Sequence, residues 1–159
     1  MTTTKKKTTR SPKLPTNAFQ SEILALVSKQ RSNAKKVDVL KEYGNDAIKA
    51  LFVWNFDSSV ITILPSGTPP YKPNEAPAGT EHTSLRREFK YLYNFVKGGN
   101  DSLNNIKRET MFVQILEGLH PDEAELLCLV KDKKLTEKYK ITRAVVEEAF
   151  PDIRWGGRS

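Results

Sequence analysis

Few side chains in this sequence have the type and spacing to do chemistry, and each has a plainer role. His82 and His120 lie far apart, and neither has a partner at metal-ligand spacing. His120 stands where a helix begins, the place of a cap or a helix–helix filler. Cys128 is the only cysteine, so no internal disulfide can form, and its apolar helical surroundings suit a buried, inert thiol. Asp122, Glu123 and Glu125 look like paired carboxylates, yet they fall in a first helical turn, where the helix dipole alone accounts for acids. Lys97-Gly98-Gly99-Asn100 has neither the spacing nor the order of a phosphate-cradling loop, and no dinucleotide fingerprint occurs. The expectation is a protein without a catalytic site, metal or cofactor.

What remains is charge. The chain has 159 residues and a formal net charge of +7. The stretch Met1–Pro15 supplies Lys5, Lys6, Lys7, Arg10 and Lys13 with no acid. Its threonines and prolines offer nothing to pack, so residues 1–16 read as a disordered basic arm. A flexible cationic arm can release counterions from nucleic-acid phosphates, or simply solubilise the protein. Two further basic groups stand in the body of the chain. Arg86, Lys90, Tyr93 and Lys97 fall on one stripe if residues 85–97 are helical, and Lys131, Lys133, Lys134, Lys138 and Lys140 surround a helix exit. A solvated helix face and the pull of a helix end on cations explain each group separately.

The elements that must position these residues read as helices. Asn17 can cap a helix carrying Phe19, Ile23, Leu26 and Val27, and residues 34–43 bury Val37 and Leu40 before Gly44. Asn45 or Asp46 starts a third helix with Ile48, Leu51, Phe52 and Trp54. Val60–Leu64 is a short β-branched run with no evident partner strand. Five prolines between Pro65 and Pro77 make residues 65–83 an irregular loop, in which Pro69-Pro70-Tyr71 reads either as a polyproline ligand for an aromatic groove or, more readily, as a rigid segment whose Tyr71 packs back onto the domain. Thr83 or Ser84 caps a helix over 85–97 that ends at Gly98-Gly99. A helix over 105–119 has the wide apolar face of a bundle's central helix, and Pro121 with Asp122 and Glu123 opens another. The last helix starts near Thr142 and stops at Pro151. The sum is an all-α domain, residues 17–151, of six or seven short helices split by one proline-rich loop, with 152–159 as a C-terminal tail. No apolar run is long enough to cross a membrane, and no apolar stretch follows the basic start, so neither a span nor a signal peptide is expected.

Several strings carry a resemblance. Leu64-Pro65-Ser66-Gly67-Thr68-Pro69-Pro70-Tyr71, Ala76-Pro77-Ala78-Gly79-Thr80-Glu81-His82, Lys107-Arg108-Glu109-Thr110-Met111-Phe112, and Gly118-Leu119-His120-Pro121-Asp122-Glu123-Ala124-Glu125-Leu126-Leu127 lie within Asp57–Trp155. This part of the chain resembles an uncharacterised family found in large contractile-tailed phages of marine bacteria. The resemblance implies a source, and the host cytoplasm during infection as the place of action, but no function.

The helix order is also similar to the N-terminal DNA-binding domain of phage-type ATP-dependent DNA ligases. The corresponding stretches are Gly99-Asn100, Ile106–Leu119, Asp122–Val130 and Ile141–Pro151, closing on Phe150-Pro151-Asp152-Ile153. That likeness implies a domain holding duplex DNA by its backbone, with Lys97, Asn100 and Lys107 around a phosphate and Arg86 and Lys90 extending the track. The adenylation motif Lys-x-Asp-Gly is missing: Lys36-Val37-Asp38-Val39 and Lys131-Asp132 lack its glycine. The expectation is therefore a stand-alone, non-enzymatic binder of duplex DNA. The alternative is a phage structural or host-interaction protein that meets a protein partner through loop 65–83. Convergence of basic residues from distant segments on one face would favour the first.

Overall fold

The computed structural model describes residues 14, 15 and 17–158. Among the described residues seven α-helices run in order: α1 Gln20–Lys29, α2 Asn33–Tyr43, α3 Asp46–Phe56, α4 Leu85–Glu88, α5 Asn105–Gly118, α6 Pro121–Lys131 and α7 Arg143–Ala149. Two 3-10 segments join them, Phe89–Phe95 directly after α4 and Leu135–Glu137 after α6. The all-α expectation holds.

The helix starts follow local chemistry. Ser32, Asn45, Asn104 and Thr142 each accept a backbone N–H from the first turn of their helix, which satisfies a donor the helix cannot. His120 does the same through Nδ1, accepting the Asp122 N–H at 3.0 Å. Asn17 is not the cap of α1. That position is Phe19, whose own N–H is taken by Glu22 Oε1 at 2.8 Å.

One stretch departs from the expected helix. After α4 the chain tightens into a 3-10 turn, and Lys97 lies beyond its end. The reason is a short antiparallel bridge. Thr62 pairs with Val96, the Ile63 N–H bonds the Phe95 carbonyl at 2.8 Å, and the Lys97 N–H bonds the Ile61 carbonyl at 2.7 Å. The β-branched run thus does find a partner, at the cost of the last helical turn.

The core is contiguous. It joins Leu24 and Val27 of α1, Leu51 and Phe52 of α3, Phe95, Phe112 and Leu116 around α5, and Val146 and Phe150 at the end. Helix α6 is the central one, not α5. It packs against α1, α3 and α5 and buries Ala124, Leu126, Leu127, Cys128 and Val130, whereas Ile106 on α5 is 81% exposed. Gly44 ends α2 because of space rather than backbone angle. A Cβ there would stand 2.5 Å from the Leu40 carbonyl oxygen and 2.6 Å from the Phe150 ring.

The proline-rich loop is pinned. Lys131 Nζ donates to the Pro65 carbonyl, Gly67 N–H to Asp132, and Lys72 N–H to Glu117. Tyr71 packs against the core as expected. The C-terminal segment also joins the domain: Ile153 and Trp155 lie on the core, and Arg143 stacks on the Trp155 ring at 4.4 Å.

Candidate nucleic-acid interface

The arm residues Lys5, Lys6, Lys7, Arg10 and Lys13 lie outside the described residues. Of the five body residues singled out from sequence, Arg86 and Asn100 bond within the protein, while Lys90, Lys97 and Lys107 are exposed. Arg86 donates from Nε and Nη2 to the Ala18 carbonyl at 3.3 and 3.2 Å, which ties it to the approach to α1. The Lys90 ammonium sits 5.5 Å over the Tyr91 ring. Asn100 donates to Asn94 Oδ1 at 2.8 Å and accepts from Ser102 Oγ at 2.9 Å, so its side chain builds the turn. Lys97 and Lys107 are exposed, on opposite sides of that turn in sequence. A 3-10 segment turns once in about three residues, so the i, i+4 stripe expected of Arg86, Lys90, Tyr93 and Lys97 never forms.

The turn itself is built by a residue that sequence reading passed over. Arg108 is buried at 2% exposure. Its guanidinium donates to the carbonyls of Asn94, Asn100 and Leu103, each at 2.9 Å, and to Asn105 Oδ1 at 2.6 Å. Four neutral acceptors thus solvate a cation taken out of water. The available signal was its place on the apolar face of α5, one turn before Phe112.

The second expected cluster is dispersed. Lys131 is buried and paired with Asp132 at 2.7 Å. Lys133 donates to the carbonyls of Trp54 and Asp57, and Lys138 pairs with Glu125. Only Lys134 and Lys140 of that group are exposed without such a partner among the described residues.

The Lys140 backbone instead meets side chains from the other end of the sequence. Its backbone N–H donates to Ser28 Oγ at 2.9 Å, and its carbonyl accepts from Lys36 Nζ at 2.6 Å. These bonds seat the lead-in to α7 on the α1–α2 turn. Beside that turn is a groove of about 600 Å³ lined by Lys29, Arg31 and Lys35 together with Leu14, Glu22 and Leu26. Glu22 is the one acid there, and it is engaged with the Phe19 N–H. None of Lys29, Arg31 and Lys35 forms an ion pair among the described residues. Leu14, whose N–H bonds the Tyr43 hydroxyl, is also where the described chain meets residues 1–13. The root of the arm and the cationic groove are therefore contiguous. Helix α2 also opens with Lys35 and Lys36 in its first turn, with no acid there, against the helix dipole unless an anion is near. Sequence carried a sign of this group: no acid occurs between Ile23 and Val37.

The groups read as catalytic candidates are accounted for structurally. Burial pushes the Cys128 thiol up to about 11, which disfavours the thiolate at neutral pH. His120 caps α6 and lies 4.5 Å from the Phe19 ring. Glu123 does more than complement a dipole. It is fully buried, and its two oxygens accept the N–H of Gln20 at 2.7 Å and of Leu85 at 3.0 Å, the first residues of α1 and α4. Burial raises its carboxyl above the usual value, against the pull of those two bonds. Among the described residues no group of three histidine, cysteine or acidic side chains is placed to hold a metal, and no helix is long and apolar enough to cross a membrane.

Residues 23–137 match the family of unknown function DUF6433, and with that much of the chain matched the protein belongs to it. No curated protein is significantly similar to the chain. No solved structure is either.

Proposed function

We propose that this DUF6433 member is a non-enzymatic binder of duplex DNA that grips phosphates without reading sequence. The observation that supports this most is convergence. Lys29, Arg31 and Lys35 of the α1–α2 turn line one groove with Leu14, at the root of the basic arm, and the Lys36 ammonium beside them bonds the backbone of Lys140, so two described segments carrying cations meet there. Phosphate contacts of this kind position a duplex and carry affinity, but they do not distinguish bases. The likeness to ligase DNA-binding domains and to a phage family belongs to the same proposal, with the host cytoplasm during infection as its setting. The contact surface differs from the ligase-like expectation, since Arg86 and Asn100 are engaged within the protein.

The test is a duplex titration at two salt concentrations. Replacing Lys29, Arg31 and Lys35 with alanine is expected to weaken binding equally for unrelated sequences. The salt slope should fall by about 0.9 for each phosphate that is no longer neutralised. Unchanged affinity and slope would remove the groove from the interface.

A second reading has its own support. A groove of about 700 Å³ runs between the pinned loop, from Leu64 to Pro70, and the Ile106–Glu117 face of α5. A rigid, largely apolar groove of this kind suits a protein partner. Absence of duplex binding at low salt would move the weight to it.

A further inference from the structure

We propose a second contact surface, around the turn built by Arg108, that takes unpaired nucleic-acid bases. It is separate from the duplex groove and rests on its own residues. Among the described residues four large hydrophobic side chains are exposed: Ile61, Tyr91, Tyr93 and Ile106. All four stand on the segments that this turn joins, and Ile106 also borders the groove beside the proline-rich loop. Ile61 stands directly across the antiparallel bridge from Lys97, joined by the Lys97 N–H to Ile61 carbonyl bond, so their side chains are cross-strand neighbours. Tyr91 and Tyr93 flank Leu92 on the 3-10 segment, and the Asn94 side chain donates to the Tyr91 carbonyl at 2.9 Å. Ile106 follows Asn105, which shares the Arg108 guanidinium with Asn94.

The turn that presents them is rigid by construction. Gly99 approaches so closely that a Cβ would lie 1.9 Å from the Tyr93 carbonyl oxygen, and Gly98 adopts φ +86°. A buried cation with four neutral acceptors holds the remainder in place. Such a device fixes apolar side chains in water, where packing has no use for them.

The charges around the patch select the partner. Lys90, Lys97 and Lys107 are exposed beside these side chains, against Asp101 and Glu109. Exposed tyrosine interleaved with lysine is the chemistry of a stacking platform on a phosphate chain: rings take base faces and ammonium groups take the backbone. A paired duplex offers no base face to a ring, so the occupant is a single-stranded segment, such as a gap, flap or frayed end.

The experiment measures anisotropy of a labelled thymidine single strand and of a labelled duplex with the full chain. Tyr93→Ala with Ile106→Ala is expected to weaken single-strand binding about tenfold or more, given the worth of one stacked base, and to leave duplex binding unchanged. Tyr93→Phe keeps the ring and is expected to keep the affinity. Arg31→Ala with Lys35→Ala is expected to do the reverse, weakening duplex more than single strand. Melting temperatures serve as the folding control, because the substituted side chains are exposed. No single-strand binding by the parent protein, as for a surface that meets a protein, overturns the proposal. So does unchanged single-strand affinity in the double alanine variant. Loss of the duplex response alone would overturn the duplex reading and leave this one standing.

Discussion

Glu123 accepts the backbone N–H of Gln20 at 2.7 Å from a position 103 residues away in sequence. Its second oxygen accepts from Leu85. One carboxylate on the central helix thereby closes the starts of two others, in neither of which the N-cap side chain accepts a first-turn N–H. Glu123→Gln keeps the size but turns an amide NH2 toward one of these donors. We expect it to lower unfolding free energy by about 1–3 kcal/mol, the cost of a buried donor left unmatched. A urea titration should show a lower midpoint with an unchanged slope.

Asp57 gives the clearest pH dependence. Burial pushes its carboxyl up, but bonds from the Ser59 hydroxyl and N–H, the Gly156 N–H and Arg158 outweigh that and hold it at about 2. Its folded value lies below the ordinary 3.8. The stabilisation it supplies is therefore complete above 3.8 and is lost as pH falls toward 2. Asp57→Asn is expected to cost about 1–3 kcal/mol at neutral pH, in line with hydrogen bonds to a charged group. The gap between parent and variant should close in acid, which thermal unfolding across pH 2–6 measures.

Deleting residues 1–13 is expected to leave the melting temperature unchanged, because the packing of the described chain starts at Leu14. If the arm is a phosphate contact, the deletion weakens duplex binding and lowers the salt slope by up to about 4.5, at roughly 0.9 for each of its five cations. Equal slopes for the two proteins would assign the arm to solubility alone.

The helices were legible because their apolar residues recur at three and four and four of them are capped by Ser, Asn or Thr side chains. Residues 89–95 misled that reading because the Phe89, Leu92 and Phe95 spacing fits a 3-10 turn as well as an α-helix. What separates the two is the Thr62–Val96 bridge, a contact between distant segments that no local window contains. The same blindness affected the site. Asp122, Glu123 and Glu125 are alike in sequence as acids near a helix start; only the packing of α1 and α4 turns Glu123 inward. Arg86 and Lys29 are alike as helix cations. The Ala18 carbonyl engages the first, and the groove beside the arm root exposes the second.

The C-terminal seam bears on how the chain is made. Asp57 at the end of α3 waits for Gly156 and Arg158, 99 and 101 residues later. Chains emerge from the ribosome N-terminus first, so α1 to α3 are free to assemble while this carboxylate still has only Ser59. Gly156 and Arg158 seal the edge beside Asp57, and a nascent chain stalled before Trp155 carries that edge open.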